Sequence, residues 1–263
     1  MEPKQNKKVY GREELKQYFR NGKMPSENHF GYLIDSTINK QEDGFSKDEE
    51  NGLQIAALGS SKRLLSFYKA TDDLEPFFFV EKDEYEYPAL RLQPYLNGQD
   101  ARDEKKDTSG FFFHTDGKLG IGKKCDPDFK VDIKGFTAME GRTGSYKVGT
   151  VPADGKWHPV LQELDNCQAF EIVARTGLKH AGRHAMMHAY AVSTFGSSRN
   201  KIRQTCAYYG FCWNKIKVRW KGSTHNYELQ MRTNSNYGLG VDIYYRITRL
   251  WADEMFMPET YYY

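Results

Sequence analysis

The sequence has no apolar run near the roughly 20 residues that cross a bilayer, and its amino-terminal MEPKQNKKVY carries lysines with no apolar stretch behind them. It reads as a chain made in the cytoplasm without a signal peptide and with no membrane insertion. An excess of one charge is missing too. Lys and Arg number 38 against 35 Asp and Glu, a net of +3, whereas a duplex-binding protein concentrates basic side chains to displace phosphate counterions. Nucleic acid is therefore not an expected partner. The four cysteines, Cys125, Cys167, Cys206 and Cys212, form neither a disulfide framework nor a paired C-x2-C zinc pattern. They are expected as free thiols.

Signals for chemistry are equally sparse. No G-x-S-x-G elbow occurs and no cysteine sits in a helix-opening glycine context, so no nucleophile stands out. His180, His184 and His188 have the H-x3-H-x3-H spacing that would put three imidazoles on one face of a helix. Gly177 and Gly182 interrupt that helix, and AMMHAYAVSTF reads as a strand. On a strand only His184 and His188 share a side, about 13 Å apart and too far for one ion. Asp126, Asp128 and Asp132 offer oxygens to calcium but lack the glycine and closing Glu of a calcium loop, and turn formation accounts for them as well. The glycines of Gly117–Lys124 lack the G-x4-G-K-[ST] spacing of a phosphate loop. No catalytic, cofactor-binding or metal residue is thus assigned. The paired carboxylates of a polysaccharide hydrolase remain compatible, because the fold sets the roughly 5 to 9 Å between them. Trp157, Trp213, Trp220, Tyr237 and Trp251 offer flat faces to a sugar ring, with core packing the alternative, favoured for Trp220 by its inward phase.

What is present is aromatic and glycine-rich. Aromatics make up 14% of the chain and glycines number 23, a composition of short strands joined by tight turns, so the expected fold is mainly β. The one helical stretch is residues 11–40. Leu15, Tyr18 and Phe19 recur at helical spacing, Asn21-Gly22 ends that run, and Pro25-Ser26 opens a second helix expected to bury Phe30, Leu33, Ile34 and Ile38. Such an N-terminal helical hairpin is too short to fold alone, which makes it a docking element. After the polar KQEDGFSKDEE come GLQIAALG, RLLSFYKA, PFFFVEK and ALRLQPYL, read as strands of a small β region. DARDEKKDTS, at 100–109, reads as an exposed linker. Further on, Ile216, Val218 and Trp220 alternate with lysines and arginine, Tyr227, Leu229 and Met231 with polar residues, and Val241, Ile243, Tyr245 and Ile247 likewise. QAFEIVAR and AMMHAYAVSTF are apolar on both faces, as central strands are. A C-terminal β-sandwich, jelly-roll-like, follows.

Between these regions the glycines break the chain into short hydrophobic clusters. Asp116, Gly117, Leu119, Gly120, Ile121 and Gly122 spell D-G-x-L-G-I-G; Pro127 marks a turn, and Lys130, Val131, Asp132, Ile133 and Gly135 spell K-V-D-I-x-G. This segment resembles one found in phage tail fibres and related surface proteins. The remainder is similar to proteins encoded beside contractile injection systems of Bacteroidetes-type bacteria. The first resemblance implies an intertwined trimeric stalk in which neighbouring chains supply missing hydrophobic contacts, with Phe111, Phe112 and Phe113 needing a partner surface. Since the G-I-G unit occurs once, a long fibre is excluded.

The expected organisation is a helical docking segment at 1–45, a small β domain at 46–99, a fibre-like stalk segment at 100–149 and a β-sandwich at 150–263. The expected function is a structural, non-enzymatic part of a phage-tail-like particle, a short trimeric fibre, tip or adaptor that docks on other particle proteins through residues 1–45. A lectin-like adhesin for cell-surface glycan and a particle-borne polysaccharide hydrolase are the alternatives.

Overall fold

The structure, a computed structural model, describes residues 10–84, 87–95 and 110–258. The fold is mainly β, with two short N-terminal helices, and the chain divides into two compact units that part between Thr137 and Ala138. Residues 1–9 of the docking segment and the linker at 100–109 lie outside the described residues.

The first unit opens with α1 (Arg12–Tyr18) and α2 (Glu27–Asp35). Ser26 caps α2 in a capping box, its backbone N–H donating to the His29 ring at 3.0 Å. Tyr18 stacks on His29 with centroids 4.3 Å apart, Phe19 meets Phe30 edge-on, and Leu15 is buried. The expected burial of α2 is not found: Phe30, Leu33, Ile34 and Ile38 are all exposed, Ile34 and Ile38 at 66%. Helices of 7 and 9 residues cover only one narrow stripe of each other, and the aromatic rings occupy it.

A hairpin follows, β1 (Phe45–Asp48) with β2 (Gly52–Ile55). Its first strand lies within the polar run, where charge hides it from hydrophobic patterning. Six strands then form one sheet in chain order: β3 (Arg63–Phe67), β4 (Phe78–Asp83), β5 (Ala89–Pro94), β6 (Phe111–His114), β7 (Leu119–Ile121) and β8 (Val131–Ile133). All pairings are antiparallel except β7 with β8. Because β5 pairs with β6, residues of the 46–99 and 100–149 segments share this sheet.

The second unit holds β9 (Lys147–Pro152), β10 (His158–Leu164), β11 (Cys167–Gly177), β12 (His184–Thr194), β13 (Lys201–Tyr209), β14 (Ile216–Gly222), β15 (Tyr227–Thr233) and β16 (Asp242–Ala252), then α3 (Asp253–Phe256). One antiparallel sheet runs β13-β12-β11-β16-β9 and the other β10-β15-β14. Alternation places the side chains as its period of two dictates. Ile216 and Val218, Tyr227, Leu229 and Met231, and Val241, Ile243, Tyr245 and Ile247 are buried. They join Phe170, Ile172, Met187 and Ala189 in one hydrophobic cluster fed by both sheets. All four cysteines are free thiols.

Leu229 and Met231 have no exposed surface. Leu229→Ala or Met231→Ala should each destabilise the second unit by about 2–5 kcal/mol in chemical denaturation. Lys217→Ala, on the exposed phase of β14, should change stability by less than about 0.5 kcal/mol.

Candidate functional site

The D-G-x-L-G-I-G residues form the β6–β7 hairpin and its exit. At the turn, the His114 N–H donates to the Lys118 carbonyl at 2.9 Å, with Gly117 at φ +78°. Asp116 pairs with Lys118 at 2.7 Å, and that hydrogen bond holds the Asp116 carboxyl below its usual range. Gly120 is required for space, since a Cβ there would lie 2.2 Å from the Lys123 carbonyl oxygen and 2.7 Å from the Cys125 nitrogen. That close approach folds residues 122–129 under the sheet. The Cys125 N–H donates to His114 Nε2 at 3.2 Å, and Lys124 reaches Asp83 at 3.0 Å. Gly122 and Gly135, at φ +71° and +140°, end β7 and follow β8.

Strand register then sorts the sheet into two unlike faces. On the side covered by that loop stand Phe79, Glu81, Asp83, Arg91, Gln93, Phe112 and His114. This polar side is the buried one: Arg91 pairs with Glu81 at 3.4 Å and lies over the Phe112 ring. The opposite side carries Leu65, Phe67, Phe78, Val80, Leu90, Leu92, Phe111, Phe113, Leu119, Ile121, Val131 and Ile133. By register, Lys82 is the one charge on that side among the described strands. Val80 is buried and four of these residues are half-buried, but Leu65, Phe67, Leu90, Phe111, Phe113, Val131 and Ile133 are 38–53% exposed.

Of the stalk residues expected to seek a partner, Phe111 and Phe113 point to the exposed side and Phe112 does not, being 2% exposed within its own chain. The strand alternation of β6 separates them. The backbone groups of β6, β7 and β8 find hydrogen-bond partners inside the chain. What they leave open is a side-chain face. Six strands about 4.8 Å apart, each about four residues long, make a face of roughly 300 Å². That is the size of the largest apolar patch on a typical monomer, which is often functional.

In the second unit the sequence-singled histidines separate. His180 sits in a turn at φ +66°, while His184 and His188 lie on β12. Among the described residues no three His, Cys, Asp or Glu side chains gather as metal ligands. The aspartates of 126–132 serve their own turn: Asp132 accepts from Lys123 at 2.6 Å and from the Asp126 N–H at 3.1 Å, and Asp126 accepts from the Asp128 N–H.

His188 instead meets Glu171, a buried carboxylate on β11 that no sequence motif marked. Glu171 accepts from Arg142 Nη2 at 2.6 Å, shares a 2.9 Å hydrogen bond with His188 Nε2, and accepts from the Tyr190 hydroxyl at 3.4 Å. The His188 hydrogen bond and the Arg142 charge hold its carboxyl below the usual range against the opposing effect of burial. The cluster ties the segment before β9 to the sheet. Beside it in sequence, a cleft of about 840 Å³ is lined by Cys167, Ala169, Val192, Lys201, Leu250 and Trp251. The indole N–H of Trp251 donates to Asp253, and its ring packs on Phe256.

The other aromatics divide by environment. Trp220 packs against Phe170 and Tyr227. The guanidinium groups of Arg219 and Arg232 both lie over the Trp157 ring, at 4.2 and 4.5 Å. The Tyr237 hydroxyl donates to the Asn214 carbonyl at 2.7 Å, and burial pushes its phenol up to about 12. Trp213 is exposed and stacks on Phe211. Compared with protein-family models and with curated proteins, the chain has no significant match.

Two outcomes follow from this geometry. Gly120→Ala should destabilise the first unit by at least about 1–3 kcal/mol, measured by thermal or denaturant unfolding, because backbone blocks the added methyl. For Glu171, the lowered folded-state pKa makes its stabilisation complete above the unfolded value of about 4.3 and lost as pH falls through the folded value. Glu171→Gln should therefore flatten the acid side of the stability–pH curve, and an unchanged slope would remove this role.

Proposed function

We propose that the chain is a structural, non-enzymatic subunit of a phage-tail-like contractile injection particle, forming a short homotrimeric fibre, tip or adaptor. The observation that carries this reading is the exposed apolar side of the six-stranded sheet, a contiguous patch of the kind that is often an interaction surface. Identical copies are the natural cover, because each brings the same face and each needs the same one covered. The number three comes from the resemblance of residues 116–135 to tail-fibre stalk segments. Three such faces turned toward a common axis would bury Phe111, Phe113, Val131 and Ile133 of every copy.

The exposed Phe30, Ile34 and Ile38 support docking on other particle proteins through residues 1–45. The second unit, read as a jelly-roll-like sandwich, has its own core, which suits a displayed domain. We assign no catalytic residue.

The test is incorporation. In particles purified from the producing cell, a chain lacking residues 1–45 should be absent, and the double variant Phe111→Asp with Phe113→Asp should be absent as well. Recovery of both variants at wild-type level would overturn the reading. The double substitution lies on exposed positions, so folding of the free chain, checked by circular dichroism, should survive it.

A further inference from the structure

One end of the second unit gathers four loops that are far apart in sequence, residues 153–157, 178–183, 210–215 and 234–241. They are knitted together by polar contacts. Asn214, 2% exposed, donates from Nδ2 to the Tyr209 carbonyl at 3.0 Å and receives the Ser235 hydroxyl at 3.3 Å. Arg183 Nη1 donates to the Asn236 carbonyl at 3.0 Å, and the Tyr237 N–H donates to the Ala153 carbonyl at 2.8 Å. Gly210, at φ +91°, lies so close to the second loop that a Cβ would sit 3.0 Å from the Gly182 carbonyl. The loops are thus fixed relative to one another.

From this fixed base, large apolar side chains project into water. Phe211 and Trp213 stack with centroids 5.2 Å apart, yet remain 68% and 55% exposed. Leu178 is half exposed, and Leu239 is fully so, held out between Gly238 and Gly240, both at positive φ. The same loops carry Lys156, Lys179, Arg183 and Lys215 against Asp154 alone, and Asp154 is engaged by His158 at 2.8 Å. The end is apolar at its tips and cationic around them.

We propose that this end is a contact for the surface of an anionic lipid bilayer. Leu178, Phe211, Trp213 and Leu239 enter the headgroup boundary, and Lys179, Arg183 and Lys215 meet the phosphates. Rings at the level of the headgroups and basic side chains beside them are the physical requirements of interfacial binding. A saccharide partner would use the faces of Phe211 and Trp213 but has no use for two exposed leucines, which offer neither a stacking face nor a hydrogen bond. The four apolar residues come from three separate loops, so no apolar run announces them in the sequence. Contact of this kind does not cross the bilayer and is independent of the oligomeric state.

The test is co-sedimentation of the full chain with vesicles of phosphatidylglycerol mixed with phosphatidylcholine, and with vesicles of phosphatidylcholine alone. The chain should bind the anionic vesicles, more weakly at high salt, and at least about tenfold more weakly to the neutral ones. Phe211→Ser with Trp213→Ser should lower anionic-vesicle binding at least about tenfold. Lys179→Glu with Lys215→Glu should lower it several-fold, with thermal unfolding unchanged in both variants. No binding of the wild type, or equal binding by the aromatic variant, overturns the proposal. Retention on immobilised bacterial polysaccharide without vesicle binding overturns it too, and assigns the end to a saccharide.

Discussion

A β-sheet can leave one face in water at little cost if that face is polar. In the first unit the arrangement is reversed: residues 122–129 fold beneath the side that carries Glu81, Arg91, Gln93 and His114, and the side that carries Phe111, Phe113, Leu90 and Val131 is left open. The cause lies in one small residue. Gly120 has no side chain on the buried side, so the Lys123–Cys125 backbone can close against it and pair the polar groups in place. Alternation along each strand then holds the apolar residues on the other side.

The second unit's five-stranded sheet also turns Val148, Val173, Met186, Tyr190 and Val192 outward, 39–54% exposed, but among the charges of Arg175, Arg203 and Arg246, and its inner side is covered. The unit's two sheets share one hydrophobic cluster, and its least exposed side chains, Phe170, Ile172, Met187, Leu229 and Ile247, lie within that cluster. The difference between a two-sheet core and an apolar face carrying one charge by register is the physical basis for the proposed division of labour. A unit with a complete core is suited to display, whereas a unit with an uncovered apolar face is suited to assembly. Glu171 adds a clasp, fixing the segment that carries Arg142 on the sheet through charge-assisted hydrogen bonds.

Much of the β architecture was legible because period-two alternation is a local signal: Ile216 to Trp220, Tyr227 to Met231 and Val241 to Ile247 announce their strands and inward phases. The hairpin of α1 and α2 was legible through Asn21-Gly22 and Ser26, but not its exposure, since helical spacing says which residues share a face and not whether anything covers it. Phe111, Phe112 and Phe113 looked alike in sequence and parted by alternation once β6 was paired on both sides. β1 was hidden by charge. Glu171, Arg142 and His188 are separated by 29 and 17 positions, and only the β11–β12 register and the path of the preceding segment bring them together. The loop cluster around Asn214 has the same character, since Ser235 and Tyr237 reach it from 21 and 23 positions away.

The claim on which the rest depends is that the open face of the six-stranded sheet is covered by copies of this chain. Sedimentation equilibrium of the purified full chain over a range of concentrations measures that directly. Three times the mass of the chain is the expected result. A stable, well-folded monomer at every concentration would contradict it.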